Sequence, residues 1–152
     1  MDIVAALNKM ECIEKLASDL YKHYHSIFLD DAEASYFFYK MSIEEKGHRN
    51  LIQYVKRLVR QNPKLFSNVD VDYEHFDKLE KRLNEEIKRK PYPSLSEAIG
   101  VTEEIEIVIG EAYIRNLPLA KNPILTDLYN SLGEKDHTEK ITAFRAKINA
   151  RI

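Results

Sequence analysis

The chain has 152 residues, 44% of them hydrophobic and 32% charged, a balance that gives one domain able to bury its own core and excludes a disordered or collagen-like chain. Its formal net charge is −2 and it carries no basic block, so nothing in it calls for a nucleic-acid partner. Cys12 is the only cysteine, which excludes an internal disulfide and any Cys-rich zinc or rubredoxin-type iron site.

The first residues have no basic start followed by an apolar stretch, and no apolar run approaches membrane length. The chain is therefore expected to be cytoplasmic, with no membrane partner. Four long segments then carry helical periodicity, in keeping with a composition poor in glycine and rich in Glu, Lys, Leu and Ile. The first helix is expected over residues 3–28, stopping at Asp30-Asp31. Asp30 is expected to cap the second helix, with Glu33 three residues on as a capping box. Pro63 stops that helix at the Asn62-Pro63 pair.

A connector follows over residues 64–93. Its centre places Tyr73, Phe76, Leu79, Leu83 and Ile87 on one stripe among many charges, which predicts an amphipathic crossover helix ended by Pro91 and Pro93. Ser94 and Glu97 form a capping box that opens the third long helix, ending near Leu117-Pro118. Asn122-Pro123 opens the fourth, with Asn as cap and Pro at the first helical position, and this helix is expected to run almost to Ile152. Two tight helical hairpins joined by one long crossover have the connectivity of a ferritin-like four-helix bundle. The expected fold is thus all-α, a single domain over residues 1–152.

The halves resemble each other. Glu11 falls on Glu103, Ile13 on Ile105, Glu14 on Glu106 and Tyr21 on Tyr113, and Glu45-Lys46-Gly47-His48 falls on Glu134-Lys135-Asp136-His137. The matched polar residues sit on apolar stripes. These stripes read Met10, Glu14, Ala17, Tyr21, Tyr24, Phe28 in the first helix and Met41, Glu45, His48, Ile52, Val55, Val59 in the second. In the third they read Ile99, Thr102, Glu106, Ile109, Tyr113, and in the fourth Asn130, Glu134, His137, Ile141, Phe144, Ile148. In all four a Glu holds a position where three- and four-residue spacing demands an apolar side chain. Four carboxylates in a dry core repel one another and lose hydration; two multivalent cations remove that cost. Carboxylate oxygen suits hard iron or manganese, with one imidazole per ion, and carboxylates can bridge two ions ~3.5–4 Å apart. The Glu-x-x-His spacing aims both side chains of one helix at one ion.

With its doubled Glu and Glu-x-x-His set, and a Tyr seven residues after the first Glu of each half, the chain resembles the ferritin-like di-iron proteins, especially the rubrerythrin branch. The resemblance covers nearly the whole chain apart from the crossover. It implies two iron ions, with manganese or zinc as alternatives in isolated protein. Glu14 and Glu106 would be terminal ligands, Glu45 and Glu134 bridging ligands, and His48 and His137 would bind one ion each. Tyr21 and Tyr113 would donate hydrogen bonds to ligand carboxylates. It further implies a homodimer.

Two departures from the rubrerythrin pattern bear on chemistry. There is no four-Cys rubredoxin domain, so electrons would come from a separate donor protein. The extra Glu that rubrerythrins place one turn after the third-helix ligand is Ile109 here, which leaves a six-ligand set closer to ferritins and bacterioferritins. The expected activity is a rubrerythrin-like oxidoreductase acting on hydrogen peroxide or oxygen. Ferrous-iron oxidation or iron handling is the alternative on the same site, and a non-catalytic helical interaction protein is the alternative from another class. With 16 Glu and 5 His in the chain, roughly half a Glu-x-x-His match arises by chance, so position on the apolar stripes carries the argument more than the motif. Glu11 and Glu103 are expected to be exposed, as are His23, His25 and His75, and residues 88–90 to form a solvated basic helix end. Cys12 is expected to be a small core residue.

Overall fold

The spacing of apolar residues at three and four positions gives two helices that fold back on each other, α1 (Asp2–Ile27) and α2 (Ala32–Gln61). In this computed structural model residues 2–66, 71–116, 122–132 and 134–151 are described, except the side chains of Asp2, Arg115 and residues 134–136. The α2 N-cap is Asp31, one residue later than the sequence suggests. The Asp31 amide bonds the Phe28 carbonyl at 3.0 Å, and this turn leaves Asp31 extended, so its carboxylate accepts from the Ala34 amide at 3.1 Å. Glu33 then sits one position too early to close a capping box. It pairs across the molecule with Lys147 and Arg151 instead. Asn62 ends α2, and Pro63–Leu65 form a single 3₁₀ turn.

The crossover holds α3 (Tyr73–Lys88), capped by Asp72, whose carboxylate accepts from the His75 amide. Phe76, Leu79 and Leu83 are buried, Ile87 is partly buried, and Tyr73 is exposed. Burying each large side chain stabilises the fold by about 1.5–3 kcal/mol, which ties α3 down against α1 and α4. Charge adds to the attachment. Glu86 is buried between Arg82 and Arg89, and Arg82 reaches on to Glu104 of α4 (Leu95–Asn116). The basic end at residues 88–90 is therefore partly engaged, since Arg89 also pairs with Glu97. Ser94 and Glu97 exchange the two hydrogen bonds of the capping box, each 3.1 Å. The expected stop at Leu117-Pro118 lies outside the described residues.

The fourth helix is not continuous. Asn122 caps α5 (Pro123–Ser131) by accepting from the Ile124 amide, with Pro123 in its first turn, and α6 (Glu134–Asn149) follows separately. In the sequence Gly133 falls between them, and residue 133 lies outside the described residues. Asn130 is exposed instead of on the apolar stripe, while His137, Ile141 and Phe144 are buried.

Described residues of all six helices meet in one core; α1 packs on α2, α4 on α6, α3 across α1 and α4, and α5 on α2. Phe37 of α2 stacks on Phe144 of α6 at 4.1 Å and 10°. The chain is all-α, with no strand among the described residues, and no described helix is long and apolar enough to cross a membrane.

Candidate metal centre

Four helices deliver polar side chains to one place inside this core. Glu14 comes from α1, Glu45 and His48 from α2, Glu106 from α4 and His137 from α6. Glu14, Glu45, Glu106 and His137 are all at most 3% exposed; the His48 side chain is 13% exposed. Backbone at Glu134 opens α6, but its side chain lies outside those described.

The polar atoms fall into two groups about Glu45. On one side His48 Nδ1 is 3.4 Å from Glu45 Oε2 and 3.6 Å from Glu14 Oε2. On the other, His137 Nδ1 is 3.5 Å from Glu45 Oε1 and 3.2 Å from Glu106 Oε2. The two imidazoles stack with centroids 5.0 Å apart at 26°. For bonds of about 2.1 Å, two ligands on one ion at roughly 90–110° lie ~3.0–3.5 Å apart, close to the spacing within each group. Ligand atoms of Glu45, His48 and His137 all lie within 4.8 Å of one another and could hold a metal ion. Glu14 Oε2, Glu44 Oε2 and both Glu45 oxygens are buried without a hydrogen-bond partner among the described residues. Such orphaned carboxylate oxygens are costly in a dry interior, and a cation is the partner that suits acceptor-only atoms. The donor set, carboxylate oxygen with one imidazole on each side, fits iron or manganese.

The remaining oxygens are held by tyrosines in a crossed pattern. Tyr21 of α1 donates to Glu106 Oε1 of α4 at 2.6 Å, and Tyr113 of α4 donates to Glu14 Oε1 of α1 at 2.9 Å. Burial, reinforced by the nearby Glu106 charge, holds the Tyr21 phenol well above its ordinary value, so it remains a donor. Each carboxylate thus has one oxygen anchored and one aimed at the centre.

Sequence reasoning missed Glu44. It is half-buried on the flank of α2, and its Oε2 lies 2.7 Å from His137 Nε2 while its Oε1 accepts from Lys140 at 2.6 Å. Burial alone would lower the His137 pKa, but the adjacent Glu106 and Glu44 carboxylates outweigh it and push the imidazole up to about 10. Glu44 is pulled down to about 2, first by the adjacent His137, against burial, and then by Lys140. A protonated His137 between these carboxylates offsets part of the site's negative charge when metal is absent. The available signal was the Glu-Glu pair at residues 44–45, where the second half has Gly133-Glu134.

Glu11 and Glu103 do not face the centre. Each is half-buried and clamps its own hairpin: Glu11 accepts from Lys56 at 3.0 Å and Gln53 at 3.3 Å, and Glu103 from Arg145 at 2.7 Å. His23, His25 and His75 are half-buried rather than exposed, and His25 Nδ1 is 2.8 Å from the Ser35 hydroxyl. Cys12 is exposed, not in the core, because it falls on the outer side of α1. Partial burial and then Glu80 raise its thiol pKa, so it is a poor nucleophile. A cavity of about 10 Å³ beside the centre is lined by Glu14, His48, Glu106, Ile109 and Leu132 among others, room for roughly one water-sized molecule. Comparison of the chain with family models, with curated proteins and with solved structures finds no match.

Proposed function

We propose that the chain is a ferritin-like four-helix bundle binding two iron ions, and that it reduces hydrogen peroxide or oxygen with electrons from a separate donor protein. The observation that carries this reading is the pair of Glu and His groups sharing Glu45, with buried carboxylate oxygens that lack any hydrogen-bond partner among the described residues. His48 with Glu14 and His137 with Glu106 would each hold one ion, and Glu45 would offer one oxygen to each. Glu134, of the same Glu-x-x-His pair as His137, would join them.

When bound, the two ions supply electrons one at a time from each metal. Peroxide reduction breaks the O–O bond, consumes two electrons and two protons, and releases two waters. The chain's own contribution is positional. Tyr21 and Tyr113 hold Glu106 and Glu14 in place, Glu44 orients His137, and the apolar walls at Ile109 and Leu132 limit access to something as small as the oxidant. Ile109 brings no further carboxylate near Glu106, which also supports the second reading, oxidation of ferrous iron for handling or delivery.

Anaerobic loading with ferrous iron, followed by stoichiometric peroxide, tests the proposal. Appearance of a charge-transfer absorption, with catalytic peroxide loss once a reductant is supplied, is the expected result. No spectral change and no peroxide loss would refute it. Iron uptake continuing beyond two ions per chain would transfer support to the iron-handling reading.

A further inference from the structure

The two halves of the centre are not chemically equal. Pseudo-symmetry pairs Glu14 with Glu106, Tyr21 with Tyr113 and His48 with His137, yet one element has no counterpart. Glu44 on α2 reaches across to His137 Nε2 at 2.7 Å and is itself steadied by Lys140 at 2.6 Å. The residue matched to Glu44 in the second half is Gly133, which has no side chain to offer His48. Among the described residues, no hydrogen bond or ion pair reaches His48 Nε2, and the His48 side chain is 13% exposed against 3% for His137.

A carboxylate on the far nitrogen of a ligating imidazole fixes the tautomer and ring orientation and makes the near nitrogen a better donor. Glu44 faces Nε2 as an ion-pair partner at 2.7 Å, and His137 Nδ1 is the nitrogen turned towards Glu106 and Glu45. His48 has no such carboxylate on Nε2 among the described residues, so its tautomer is not fixed in this way before it binds. It also binds in a wetter place, where water competes for the ion.

Building on the two-metal reading, we infer that Glu44 makes the His137–Glu106 position the tight metal site, filled first, and leaves the His48–Glu14 position weaker and exchangeable. Glu44 acts as a positioning residue, touching no ion itself. The centre therefore passes through a one-metal state whose ion is held by the α4–α6 half.

The test is titration of chelated, metal-free protein with Co²⁺, followed by calorimetry and by visible absorption. Wild type should bind two ions in separate steps. His48→Ala should keep the tight step and lose the weak one, and His137→Ala should do the reverse. Glu44→Gln should weaken the tight step by about 10–100-fold and draw the two steps together, with helical content unchanged by circular dichroism. Two ions bound with indistinguishable constants, or a tight step unmoved in Glu44→Gln, would overturn the inference while leaving the two-metal centre standing. Failure of wild type to bind Co²⁺ at all would remove both.

Discussion

Replacing Tyr21 or Tyr113 by Phe takes one hydroxyl from the core and strips one buried carboxylate oxygen of its donor. An unsatisfied buried acceptor costs about 1–3 kcal/mol, so each variant in chelated protein should melt roughly 2–12 °C lower than wild type. The crossed pattern predicts similar losses for the two, and unchanged melting in both would contradict the assigned hydrogen bonds. At this scale the sequence was informative where a polar residue interrupted an apolar stripe. Glu14, Glu45 and Glu106 stand out because burial is dictated by helical periodicity. Glu44 does not, because its partner is on another helix and its position on α2 is an ordinary flank. Cys12 fails for the complementary reason: a small residue fits either side of a helix, so periodicity alone did not place it.

Helix ends hold the elements to one another through caps and charge pairs. Asp31 is the α2 cap and also binds Arg151 at the far end of the chain. Asp31→Ala should cost about 1 kcal/mol through the lost cap. The Arg151 bond, ahead of the Ala34 amide, holds the Asp31 carboxyl below its ordinary 3.8. For an acid with a depressed folded-state pKa, the stabilisation is present above the unfolded value and lost as pH falls through the folded one. The melting gap between wild type and Asp31→Ala should thus be steady from pH 5 to 8. It should narrow below pH 3.8, and a gap that widens in acid would contradict the assignment. The two hairpin clamps give a second test. Glu11–Lys56 side chains are 24% and 14% exposed, whereas Glu103–Arg145 are 32% and 36%. Double-mutant cycles should find couplings of about 0.2–1 kcal/mol, larger for Glu11–Lys56 because water screens it less. The reverse order would argue against burial as the cause. Helices themselves were legible from periodicity and caps, but their junctions were not. Two adjacent Asp residues can each cap, and only the Phe28 turn selects Asp31. Likewise the apolar periodicity continues from α5 into α6, so the two helices read as one.

For the whole molecule, the site is assembled by α1, α2, α4 and α6 together, so metal binding should stabilise the entire fold. At free metal 100 times the dissociation constant, one site adds about 2.7 kcal/mol, or roughly 5–11 °C in melting temperature for a chain of this size. Differential scanning calorimetry with and without Mn²⁺ measures this. A melting temperature indifferent to metal would favour a helical interaction protein whose buried charges are balanced by a protonated His137. The proposed chemistry depends on two ions sharing Glu45. Anomalous scattering at the iron edge, from crystals of protein loaded anaerobically with ferrous iron, tests it most directly. Two peaks ~3.5–4 Å apart are expected, one beside His48 and Glu14 and one beside His137 and Glu106. No peak there, or a single ion held by Glu45 with both histidines, would contradict it.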